Sequence, residues 1–438
     1  DQRAGRAGRT GPGHCYRLYS SAVYERDFPQ FSRPEILRTP IETVVLSMKS
    51  MGIDNVVNFP FPTPPERVAL GKAEKLLQYL GALSKENKIT DVGRTMSYFP
   101  ISPRFAKMLL VGNQLNCLPY IVAIVSALSV GDPFINENEL GIVEEQNKNE
   151  DEEEELSPIE LEAKRKLRSK FHSSRQIFCQ LDKFSDALKL LSAVCALDHV
   201  PLAKRDEFLR NHFLRPKLME EISKLRKQVM YLVKTYTTKE NIATSVKESE
   251  MKLGRPDKRQ VQAIKQMISA GFVDQVAIRA DLIESDVKIT NRTNIINIPY
   301  ITLFPTKGSE EDDSPYVYIH PTSILCNIGD VPPSYLIYQS VNKGANNNPE
   351  SKTPPKTRLR ALTDISDSAL TSVAKNSGLI TYSKPLGHPY APKNITSTKR
   401  ECWVVSRIGA AIGAGGVGLD LKTIKVIQNK VAGQWVNE

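Results

Sequence analysis

Apolar residues recur along this chain in two rhythms, and the change between them divides it. After Thr39-Pro40 they fall at Ile41, Val44, Val45, Met48 and Met51, the spacing of one helix face. Thr39 suits the N-cap, Pro40 the first turn, and Gly52 closes the segment. A proline-rich link, Asn58-Phe-Pro-Phe-Pro-Thr-Pro-Pro65, leads into a second amphipathic segment through Leu76, Leu77, Leu80 and Leu83. A short polar hairpin around Lys85-Glu86-Asn87-Lys88 follows, and the combination predicts a winged-helix module. From Ile101 to about Phe272 the helical period dominates, at Met108 to Leu110, Tyr120 to Val130, Phe184 to Leu197 and Leu218 to Val233. Beyond Gly271 the runs shorten and become β-rich: Val273 to Arg279, Ile295 to Phe304, Tyr316 to Ile319, Tyr335 to Val341, Leu379 to Tyr382, Cys402 to Val405 and Ile424 to Ile427. Short strands separated by turn-formers predict a small barrel, for which an OB fold is the natural candidate. The expected fold class is therefore multidomain α+β, with 33–100 winged helix, 101–270 helical, and 271–438 barrel with a C-terminal extension.

Charge adds a partner class to this picture. The 438 residues carry a net charge of +10. From Glu144 to Glu155 there are eight acids and a single lysine, so the remainder is more basic still. That stretch, bounded as 144–158, has no periodicity and reads as a disordered surface loop. A folded chain this basic has the electrostatic footprint of a polyanion binder. Six cysteines, at 15, 117, 179, 195, 326 and 402, are scattered without a C-x-x-C pair or zinc spacing, which suits a reducing compartment, structural thiols and no metal site. No apolar run approaches the roughly 20 residues that cross a bilayer, so no membrane partner is expected.

Two glycine-bearing segments invite chemistry. In Gln2-Arg3-Ala4-Gly5-Arg6-Ala7-Gly8-Arg9, residues Gln2, Arg6 and Arg9 stand at i, i+4 and i+7, one face of a helix, with glycines where another surface must come close. Two guanidiniums and an amide on one face suit the γ-phosphate of a nucleotide. A strand-like segment, His14 to Tyr19, follows. The second segment, Gly413-Ala-Gly415-Gly-Val-Gly418, spells the dinucleotide fingerprint, but only twenty residues follow it and they alternate like a strand. A glycine-rich hairpin loop is expected there.

The opening stretch from Gln2 to Leu18 resembles motif VI of the DEAH/RHA helicases, whose pattern is Q-R-x-G-R-x-G-R followed by the final strand of a second RecA-like domain. Pro34 to Arg38, Met48 to Ile53, Thr90 to Met96 with Phe99 to Arg104, Ser269 to Phe272 and Ile319 to Ser323 resemble further landmarks of that family's C-terminal region. The resemblance implies an ATP-dependent RNA helicase whose RecA-like tail occupies 1–32. It implies that Gln2, Arg6 and Arg9 contact the ATP phosphates, Arg6 and Arg9 as arginine fingers. Neither a phosphate loop nor a D-E-A-H magnesium box occurs in the sequence. ATP and Mg2+ are implied as cofactors, with the Mg2+ ligands upstream, and the fragment alone is expected to be inactive. The helical domain would be the family's ratchet domain, closing with the barrel over single-stranded RNA. Arg360 aligns with a channel-lining arginine of the family, with Thr322 and Ser323 as weaker candidate RNA contacts and His320 as a packed structural residue.

The link Asn58 to Pro65 departs from the F-D-F-x-D-P-P of splicing-type members. With Leu191 to Asp198 and Thr398 to Cys402 it resembles the nucleolar branch that acts in small-subunit ribosome assembly. That branch implies a nuclear, nucleolar location, pre-rRNA and a box C/D snoRNA within a pre-ribosomal particle, and an activating cofactor protein. A splicing-type helicase and a non-catalytic RNA-binding adaptor are the alternatives. The stretch around Gly413 departs from the family, where an aromatic, proline-containing link is expected.

Overall fold

A computed structural model describes residues 4–112, 114–142, 158–237, 248–284, 286–289, 293–304, 315–327, 331–343, 356–375, 377–409, 418–431 and 433–437. The acidic stretch Glu144 to Glu155, Gln2, and the loop residues 344–355 and 410–417 lie outside these. Among the described residues no helix is long and apolar enough to cross a membrane.

The first thirty residues depart from expectation. Ala4–Arg6 form a single 3-10 turn in place of a helix, and Arg6 and Arg9 are exposed. Glycines at 5 and 8 weaken any helix of this length. His14 to Tyr19 do not form the expected strand; Tyr16 and Leu18 are 87% and 100% exposed. A strand needs a neighbouring strand for its backbone groups, and among the described residues this segment pairs with none. A short helix, α1 (Ser21–Arg26), follows.

The winged-helix region is built from α2 (Glu42–Ser50), α3 (Arg67–Tyr79) and α4 (Asp91–Ser97). The first helix starts two residues later than Thr39-Pro40 implied: Thr39 Oγ1 donates to Glu35 O at 3.0 Å and caps nothing. Gly52 does close it, at φ +86°, a conformation that L side chains rarely adopt. Val45, Leu46, Leu70, Leu77, Leu80 and Met96 form the core. The hairpin is reduced to one bridge, Leu83 to Ile89, with Asn87 at φ 60°. Buried Lys49 ties the region together, 3.0 Å from Glu74 and donating to Asp54 O and Asn87 O.

The helical domain follows in α5 (Pro103–Val111), α6 (Leu118–Val130), α7 (Pro158–Phe178), α8 (Asp186–His199), α9 (Arg205–Asn211), α10 (Pro216–Thr237), α11 (Glu248–Met251) and α12 (Lys258–Gly271). Helix α6 is apolar on every side and buried from Tyr120 to Leu128, so it runs through the middle, against α5, α8, α10 and α12.

Five strands, β1 (Val276–Arg279), β2 (Pro299–Thr302), β3 (Tyr316–Ile319), β4 (Tyr335–Lys343) and β5 (Thr357–Asp364), close a barrel in the order β1-β2-β3-β5-β4. The pairing of β3 with β5 is parallel and the others are antiparallel. Helix α13 (Asp367–Ala374) leads to a second sheet, the C-terminal extension, of β6 (Ile380–Tyr382), β7 (Lys393–Asn394), β8 (Lys399–Gly409), β9 (Gly418–Val431) and β10 (Gln434–Asn437). Strands β8 and β9 pair antiparallel up to Gly409 opposite Gly418; the glycine-rich segment expected to form a hairpin loop lies, ahead of Gly418, outside the described residues.

Candidate nucleic-acid interface

Alternation along β5 sets the first side chain of the site. Leu359 and Ala361 are buried in the barrel core, so Arg360 between them points outward and is exposed. Its guanidinium has no hydrogen-bond or ion-pair partner among the described residues. Strand β3 runs parallel beside it and ends just before His320, whose N–H donates to Leu359 O at 3.0 Å. The chain then turns, with Ser323 N–H donating to His320 O at 3.0 Å. Within the turn the Thr322 N–H donates to His320 Nδ1 at 3.3 Å, which leaves the ring proton on Nε2. Thr322 Oγ1, 2.7 Å from the same nitrogen, therefore donates its hydroxyl to it as well. Burial, with help from Arg360 and Arg358, holds the His320 imidazole below its ordinary pKa, so the neutral ring is favoured.

The opposing wall comes from the helical domain. Ser185 caps α8, accepting from Leu188 N–H at 3.3 Å, and its hydroxyl donates to Leu362 O of β5 at 3.1 Å. Asp186 in the first turn suits the positive end of the helix dipole. Its carboxylate accepts from the Ser323 hydroxyl and from Ile324 N–H at 3.1 Å, and pairs with Lys189 at 3.0 Å. The two domains thus enclose a cleft of about 290 Å³, walled by Leu128, Gly131, Asp132, Asp186 and Lys189 on one side and His320, Thr322, Ser323, Ser340, Asn342 and Arg360 on the other.

The structure therefore gathers Arg360, Thr322 and Ser323 into one cleft, with different exposures. Arg360 and Thr322 are open to solvent, whereas Ser323 is 5% exposed with its hydroxyl donating to Asp186. Arg6 and Arg9 do not line this cleft. Asp132, Asp186, Lys189, Ser340 and Asn342 carry no motif and were not singled out by the sequence; the N-cap pair Ser185-Asp186 is a signal that α8 begins there, but not of what it meets. A cleft with an outward arginine, hydroxyls, amides and a histidine donor suits a sugar-phosphate backbone better than a metal or a base-specific ligand.

A winged-helix region and a helical domain docked on a five-stranded OB-type barrel define a multidomain class, and the comparisons with known proteins narrow it. The winged-helix model of the helicase-associated domain (HA2) matches residues 73–101, the ratchet-like HA2 model 102–190, and the oligonucleotide/oligosaccharide-binding fold model 264–377. The chain is 55% identical over 448 residues to the probable ATP-dependent RNA helicase DHR1 of Saccharomyces cerevisiae, covering 99% of this chain and 35% of the relative. It is 35% identical over 359 residues to the probable ATP-dependent RNA helicase DHX37 of Homo sapiens, covering 78% and 28%. The Drosophila melanogaster helicase kurz is 39% identical over 294 residues, covering 64% and 23%. The chain belongs to the DEAH/RHA-type RNA helicase family and spans about a third or less of the length of these relatives.

Proposed function

We propose that this chain is the C-terminal part of an ATP-dependent RNA helicase and that its cleft holds a single strand of RNA by the backbone. The observation that carries the reading is the convergence of Arg360, without a partner among the described residues, with the bonded pair Thr322 and His320 on a cleft closed by α6 and α8. In this reading Gln2, Arg6 and Arg9 belong to the nucleotide site of the complete protein, where ATP and Mg2+ supply the energy for strand movement. The exposure of Arg6 and Arg9 leaves their guanidiniums available for phosphate. The finer assignment is to pre-rRNA and a box C/D snoRNA in small-subunit assembly, in the nucleolus, with an activating cofactor protein. It is supported by the Asn58 to Pro65 link and by the resemblance of two further segments.

The two sites separate cleanly by mutation of the complete protein. Arg6→Ala should lower ATP turnover by about 10³–10⁵ while nucleotide binding persists. Arg360→Ala should weaken single-stranded RNA binding, measured by fluorescence anisotropy, and lower the salt slope by about 0.7. Wild-type turnover in the first variant, or wild-type RNA affinity in the second, would remove that assignment.

A further inference from the structure

Beyond the cleft the outer face of β5 continues as a row of cations. Even-numbered side chains of this strand face outward, so Arg358 shares the face of Arg360, and Lys356 stands just ahead of the strand. Parallel β3 places Tyr318 opposite Arg358 on the same outer face. The Lys356 ammonium lies 4.8 Å from the Tyr318 ring centroid and the Arg358 guanidinium 5.8 Å. Alternate residues of a strand are about 6.6 Å apart, comparable to successive phosphates of an extended single strand.

These cations lack the carboxylate partner that four buried or half-buried cations of the molecule have. Lys49, Arg104, Arg226 and Lys265 each meet a carboxylate: Glu74, Asp274, Asp198, and Asp182 with Asp364. Lys356 instead bonds the neutral Asn297 Oδ1 at 2.7 Å, and one terminal nitrogen of Arg358 donates to Ile296 O and Ile319 O. Among the described residues no acid pairs with Lys356, Arg358 or Arg360. Burial and the neighbouring Arg358 hold the Lys356 ammonium below its ordinary pKa, the condition of a positive cluster that an anion would relieve. The carbonyl bonds fix Arg358 in place, while Lys356, held by the Asn297 amide oxygen and the ring, lies open to solvent.

We propose that β5 carries the single-strand track out of the cleft: Lys356 and Arg358 take the phosphate beyond the one at Arg360, and Tyr318 is the floor for its sugar or base. This rests on the reading of the cleft as an RNA interface. The ligand is the backbone of unstructured RNA, recognised by charge and a flat ring without base readout.

The test uses the complete protein and oligouridines that lengthen one nucleotide at a time, with Kd measured over a range of salt. Wild type should gain affinity at the length that reaches Lys356. Lys356→Ala should lose that gain, severalfold in Kd, with the slope of log Kd against log salt lower by about 0.7. Lys356→Arg should keep the gain, and shorter RNAs should bind Lys356→Ala as they bind wild type. Arg360→Ala should weaken every length. Wild-type behaviour of Lys356→Ala at all lengths overturns the track and leaves the cleft standing, as does an equal loss at every length, which would put Lys356 inside the cleft. If Arg360→Ala also binds every length normally, the cleft reading itself fails.

Discussion

Thr322 and Ser323 are adjacent hydroxyls with opposite surroundings, one exposed at the cleft and one buried against Asp186. Sequence pairs them as equal candidates, because nothing local distinguishes a hydroxyl that faces ligand from one that braces a turn. The brace has a consequence for His320, which the turn holds through Nδ1. Its folded pKa lies below the ordinary 6.5, from burial first and then Arg360 and Arg358. As pH falls through 6.5 the unfolded chain takes up the proton before the folded one, so stability is lost across that window and levels off below the folded pKa. His212, lowered by burial and Lys170, acts in the same direction, so the two contributions must be separated by variant. We expect His320→Gln to melt with a shallower loss of Tm between neutral and mildly acidic pH than wild type. An identical pH profile would show that His320 is not among the groups that set it.

At the scale of elements, a half-buried ion pair braces the joint between the helical domain and the barrel, alongside the apolar core they share. The Arg104 guanidinium on α5 donates to both oxygens of Asp274, at 2.6 and 2.9 Å, and to Gly271 O at the end of α12 at 3.1 Å. Helices this close leave no room for a side chain at Gly271, where a Cβ would lie 2.7 Å from both Arg104 O and Met108 Cγ. The methionine can shift but the backbone oxygen cannot. Gly271→Ala is therefore expected to destabilise the protein by about 1–3 kcal/mol, read as a lowered denaturation midpoint with an unchanged m-value. Stability equal to wild type would mean that α5 and α12 can separate without cost. The sequence marks Ser269 to Phe272 as a landmark of the family, and the close approach of α5 gives a physical reason for the glycine within it.

For the whole molecule, the useful question is which RNA reaches the cleft. Crosslinking of the complete protein to RNA in growing cells, followed by sequencing of the bound fragments, should return the small-subunit rRNA precursor and a box C/D snoRNA. Reads on introns and spliceosomal RNAs would keep the helicase reading and transfer it to splicing, against the inference drawn from the Asn58 to Pro65 link. The amino-acid sequence by itself determined the order of the modules, since burying one face of a helix or a strand demands apolar residues at a period of 3.6 or 2. Arg360 is marked only through the resemblance to the family; that it points away from the core is seen in the structure, where Leu359 and Ala361 on either side of it are buried. The N-terminal segment differs: among the described residues a helical spacing and a strand-like composition give one 3-10 turn and a stretch outside any sheet, since neither pattern supplies a neighbouring strand. Only the tertiary structure decided the composition of the cleft. Asp186 and Ser323 are 137 residues apart and meet because α8 docks its N-terminus on β5. Local patterning fixes which face of each element is apolar, but which polar groups then come into register depends on how the packed elements cross, a property of the assembled fold and not of any one segment.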